Sequence, residues 1–151
     1  MSEPTLAVSP WFESRRTEYY DRLPHVSTSG GWDGFLRFFA EGLRQSADAT
    51  RQEMNDLVAV QTKLHEEVRR SRLRADSAHS LVDLAVANPS FTARKAESEL
   101  KVSYGRANAL IGQLVDLGVL SALNPGARNR RFFAPLVLEV LATDRSHGHG
   151  R

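Results

Sequence analysis

The side chains that could do chemistry fall into two sets: five histidines, and arginines gathered near residue 130. His25, His65 and His79 stand alone in the chain, with no second histidine at a helical i, i+4 or strand i, i+2 spacing. His147 and His149 alternate near the C-terminus and could hold a transition ion weakly, but structural sites gather four ligands, so this stretch reads as a polar terminal tract. Gly30-Gly31 lacks the Lys-Ser/Thr and the preceding strand of a phosphate loop. No serine lies in a nucleophile elbow, and Glu66-Glu67 reads as a solvated pair on a helix face. The expectation is a chain with no catalytic site, no metal site and no cofactor of its own.

What remains is binding. In residues 103–118, Ala107, Leu110, Ile111, Leu114 and Leu117 recur at steps of three and four, which makes one apolar stripe of a helix. Ser103 is placed to cap that helix with its hydroxyl, and Gly118 to end it in a left-handed conformation. The other face carries Tyr104, Arg106, Asn108 and Gln113, whose side chains can reach phosphates or base edges. Residues 119–123 and 130–134 read as two strands joined through Asn124-Pro125-Gly126, with Phe132 or Phe133 turned inward. Arg128, Arg130 and Arg131 lie at or beside the tip, with no acid nearby. This is the pattern of a recognition helix followed by a wing. The alternative is a packing helix with a polar outer face.

The elements that must position these groups follow from local signals. Residues 11–23 predict a helix closed by Pro24, with a Ser/Thr/Gly loop over 25–31. A second helix starts near Trp32 and runs toward Arg74, with a break expected near Gly42 or Ser46. Trp32, Phe35, Phe38 and Phe39 lie within eight positions and read as core rather than a ligand cage, because aromatic rings dominate core burial. Arg69, Arg70, Arg72 and Arg74 suit either a phosphate strip or a C-terminal turn that complements the helix dipole; the second is preferred. Asp76 or Ser77 can cap a helix ending near Ala87, and Thr92 a short one over 93–100. Lys101-Val102 then makes the tight turn into Ser103. Pro135 opens a last short helix to Leu141, and residues 143–151 read as a frayed tail.

The fold class expected is therefore mainly α: a helical segment over 1–74, a winged helix-turn-helix over 75–143 (three helices plus a β-hairpin wing), and a flexible tail over 144–151. At 151 residues the chain has room for one ordinary domain or two small ones. Its net charge of +2 makes it no polycation, so any cationic surface must be local. Between Thr92 and Arg131 the bases are Arg94, Lys95, Lys101, Arg106, Arg128, Arg130 and Arg131, against Glu97, Glu99 and Asp116. Ser103, Tyr104 and Asn108 join Arg94, Lys95, Arg106 and the three wing arginines as candidate DNA contacts. The absence of cysteine excludes disulfides and thiolate metal sites. No apolar run reaches the length of a membrane span, and no signal peptide is visible, so a cytoplasmic protein without a membrane partner is expected.

Three stretches carry a family resemblance. Residues 11–23, from Trp11-Phe12-Glu13-Ser14 to Tyr19-Tyr20-Asp21-Arg22-Leu23, and residues 31–39 resemble the helices that follow the catalytic segment of Fic-family proteins. Residues 103–120, with the Arg-Asn-Arg-Arg-Phe-Phe stretch after them, resemble the winged helix that closes many of those proteins. Such proteins transfer AMP from ATP to a hydroxyl of a target protein, through a His-Pro-Phe-x-x-Gly-Asn-Gly-Arg motif. That motif is absent here. Glu41-Gly42 matches the end of the family's inhibitory helix, but Arg37 stands four residues before Glu41 where Ser or Thr belongs, so that role is not carried over. The resemblance implies the C-terminal part of a Fic protein, either truncated or a remnant, with no catalytic residue to transfer.

Two functions follow as expectations. In one, the chain is a non-catalytic binding module whose winged helix contacts DNA. In the other, it is the accessory part of an AMP-transferase, the winged helix docking substrates or assembling subunits. If the first half is a detached piece of a larger helical core, its aromatic face has lost partners, which implies a homodimer or a protein partner through Trp11, Tyr19, Tyr20, Trp32 and Phe35.

Overall fold

The computed structural model describes residues 6–71, 73, 76–127 and 129–147, the side chains of 144–147 excepted. Arg72, Arg74, Arg128 and His149, and the side chain of His147, lie outside this description. The protein is mainly helical with one small antiparallel sheet. Two compact units are resolved, 1–55 with 142–151, and 56–141.

In the first unit, α1 (Ser9–Ser14) and α2 (Arg16–Ser29) meet at Arg15. Pro24 does not end the helix as expected; it lies inside α2. Residues 27–29, read as loop, are helical, and their hydroxyls donate back to helix carbonyls: Ser27 to Pro24 O, Thr28 to Pro24 O and Ser29 to His25 O. The helix stops instead at Gly30, whose φ of 66° is the left-handed cap that glycine adopts without strain.

α3 (Trp32–Arg70) is a single helix of 39 residues, without the break expected at Gly42 or Ser46. Gly42 serves close approach: a Cβ there would lie 2.6 Å from the Trp11 ring and 2.9 Å from the Phe12 ring. Trp11 is held over it by an indole N–H bond to Gln45 Oε1 at 2.8 Å. Phe12 contacts Tyr19, Phe38 and Phe39, and Tyr19 contacts Phe35, so the aromatic residues pack mainly on one another. Of them only Phe38 is buried, while Tyr20 and Trp32 are more than half exposed.

The second unit has an aliphatic core. It begins at Asp56 and so contains the last turns of α3, upstream of the boundary expected at residue 75. Leu64 and Val68 of α3 join Leu81, Val82 and Ala85 of α4 (Asp76–Ala87) in one buried cluster. A two-residue strand, β1 (Phe91–Thr92), leads into α5 (Ala93–Leu100), then α6 (Tyr104–Asp116). Ala107, Leu110, Ile111 and Leu114 of the expected stripe are buried in α6, whereas Leu117, expected as its last member, is the C-cap residue and is exposed. β2 (Ser121–Ala122) and β3 (Arg131–Phe133) form the hairpin, shorter at both ends than the strands expected. The strand order is β1-β3-β2, with Phe91 opposite Phe132 and Ala122 opposite Phe132. α7 (Pro135–His147) runs past Leu141 through residues expected to fray.

Candidate nucleic-acid interface

Three caps set the geometry of the site. The Thr92 hydroxyl accepts from Lys95 N at the start of α5, and the Ser103 hydroxyl from Arg106 N at the start of α6. Lys101 takes the left-handed conformation (φ 53°) that closes α5, so α5 and α6 are joined by three residues. Gly118 (φ 73°) then turns the chain out of α6 toward the hairpin. The hairpin is tied by Leu123 N donating to Arg131 O and by Arg131 N donating to Asn124 Oδ1, both at 2.8 Å.

These elements enclose a cleft of about 370 Å³ lined by Ala93, Arg94, Tyr104, Asn108, Asn129, Arg130 and Phe132. Four of the expected contacts therefore share one surface: Arg94 from α5, Tyr104 and Asn108 from α6, and Arg130 from the hairpin. The Arg130 guanidinium lies 5.7 Å from the centre of the Phe132 ring, which orients it with no ion pair among the described residues. Lined by two cations and two amides with no carboxylate, the cleft suits an anion beside a group that hydrogen-bonds.

Other expected contacts sit elsewhere. Arg131 alternates to the opposite face of the sheet from Phe132, and its guanidinium donates to Ser90 Oγ at 2.7 and 3.1 Å. It acts as a brace between the hairpin and the loop before β1. Arg106 follows Tyr104 by two residues, about 200° around the helix, so it is exposed outside the cleft. Lys95 pairs with Glu99 at 2.6 Å, and that ammonium holds the Glu99 carboxyl below the usual carboxylate range. Ser103 contributes as a cap. Arg128 lies outside the described residues.

The histidines are not all isolated. Folding of α3 against α4 brings His65 and His79 together, a pairing 14 residues apart in sequence that no ligand-spacing rule detects. Glu66 and Glu67 are solvated as read, and both approach Arg70. Among the described residues, no helix is long and apolar enough to cross a membrane, and no group of three or more His, Cys, Asp or Glu is arranged to hold a metal ion. No family model matches the chain, and no curated protein matches it.

Proposed function

We propose that residues 56–141 form a winged helix-turn-helix that binds duplex DNA, with α6 directed at the major groove and the hairpin serving as the wing. The observation that carries this reading is the cleft in which Arg94, Tyr104, Asn108 and Arg130 converge without an opposing carboxylate. Arg94 and Arg130 supply phosphate contacts, and Asn108 a side chain able to pair with an adenine edge. The order helix, strand, helix, helix, hairpin supports it. Affinity for a duplex should fall steeply with salt, because each neutralised phosphate releases counterions. Arg130→Ala should weaken binding and reduce the salt slope by about one. Arg131→Ala should matter less, since its guanidinium is already engaged by Ser90. Absence of duplex binding at low salt, or an unchanged slope in the Arg130 variant, overturns the reading.

A second reading rests on the Fic resemblance and on the exposed face of Tyr20, Trp32, Leu36, Phe39 and Leu43. In it the chain is the accessory part of an AMP-transferase, and that face is covered by a catalytic segment or a second copy. Restored AMP transfer on adding a separate Fic catalytic segment supports it, and a concentration-independent monomer by sedimentation counts against a homodimer. Neither reading gives this chain ATP turnover alone.

A further inference from the structure

α3 and α4 meet through a row of ring nitrogens. His65 Nδ1 lies 2.8 Å from His79 Nδ1, and His65 Nε2 lies 2.8 Å from Asp83 Oδ1. Gln61 Nε2 donates to the same Asp83 oxygen at 2.7 Å. Gln61 and His65 are one turn apart on α3, and His79 and Asp83 one turn apart on α4, so each helix presents an i, i+4 pair to the other. The His65 side chain is 18% exposed, while its partner Asp83 stays half exposed like the carboxylates of the ion pairs along α3.

Distance decides what lies between the two rings. Their centroids are 5.0 Å apart. That is close to the nitrogen gap plus one ring radius on either side, so the Nδ1 atoms face each other head on. With the two nitrogens head on, a metal ion would have to lie between them at about 2.0–2.1 Å from each, and the gap is too short for that. A proton fits, since the gap is that of a hydrogen bond.

The protons can then be placed. An ionised Asp83 only accepts, so His65 carries its hydrogen on Nε2. In neutral His65, Nδ1 is therefore the acceptor, and His79 Nδ1–H is the donor. One further proton fits on His79 Nε2, giving an imidazolium whose Nδ1–H still donates to His65. A second would have to go to His65 Nδ1, setting N–H against N–H across 2.8 Å.

We propose that His65, His79 and Asp83 form an acid-sensitive latch between α3 and α4, closed over one shared proton and opened when both imidazoles are charged. At i±3 and i±4 from the two rings, the charged side chains are Arg69 on α3 and Asp76 and Asp83 on α4; Glu66, next to His65, approaches Arg70. The opposed donors exclude a second charge on the pair. In the unfolded chain each imidazole takes its own proton. The folded state thus binds one proton fewer in acid, and stability falls as pH drops below about 6.5, where free imidazole charges.

The test is urea unfolding of the full chain between pH 7.5 and 5.5, beside His79→Gln, which retains an N–H donor but takes no proton. The wild type should lose up to about tenfold in its folding constant per pH unit below pH 6, beyond the loss in the variant. Equal pH slopes overturn the latch. If the variant does not fold, nitrogen NMR of the wild type at pH 7.5 decides: His65 protonated at Nε2 and His79 at Nδ1 supports the latch. His65 protonated at Nδ1, or imidazole signals that move on adding zinc, overturns it.

Discussion

The two compact units use different side chains to hold themselves together. In residues 56–141, Leu81, Leu110, Ile111, Leu114 and Leu120 are almost wholly removed from solvent. In the first unit the rings of Trp11, Phe12, Tyr19, Phe35 and Phe39 touch one another yet stay partly solvated, and Phe38 is its one buried apolar side chain among the described residues. Its Ser46 Oγ is buried with no hydrogen-bond partner. Aliphatic chains interdigitate to native density around α6, whereas rings in edge and tilted contact leave their outer faces uncovered. One unit carries a closed core, and the other carries a surface.

The contrast can be broken most directly by truncation. Leu114→Ala should cost about 2–5 kcal/mol in urea unfolding, as buried leucines do. Trp32→Ala, on the exposed rim, should change stability by less than about 0.5 kcal/mol. Equal losses would mean that the ring cluster is as closed as the aliphatic core.

Two glycine substitutions sharpen it. Gly42→Ala drives a methyl group into Trp11 and Phe12, and should cost about 1–3 kcal/mol despite the gain in helix propensity. Gly112→Ala, with nothing within 4 Å of its Cβ position, should stabilise α6 by up to about 1 kcal/mol. Thermal midpoints that move the same way in both would contradict the close approach at Gly42.

The smallest expected effect is electrostatic. Hydrogen bonds from Arg44 and Gln45 lower the Glu41 carboxyl to about 2. A depressed folded value means that stability is fully present above the ordinary carboxylate value and is lost as pH falls toward 2. Glu41→Gln should remove a slight acid dependence in that window, and added salt should erase the same dependence in the wild type, because the pair is exposed.

Much of the second unit was legible because its signals are local. Thr92 and Ser103 announce their helices by cap chemistry, Gly118 announces a stop, and the 3.6-residue stripe of α6 names its own buried face. Pro24 misled because a proline removes one helix bond and adds one clash, a local penalty that does not by itself end a helix. The assembly of the cleft was half legible. Strand alternation separates Arg130 from Arg131, but the expectation grouped both at the tip, and nothing near Arg131 in sequence reveals its bond to Ser90. The His65–His79 contact was hidden because it depends on the rotational setting of one helix against another.

The outward side of α6 is free to change over generations. Gly105, Ala109 and Gly112 form its outward ridge, and no atom crowds the space above the two glycines. A larger residue arriving at either place would alter what the ridge can touch while the buried stripe beneath keeps its packing, so partner preference can drift one mutation at a time without putting the fold at risk.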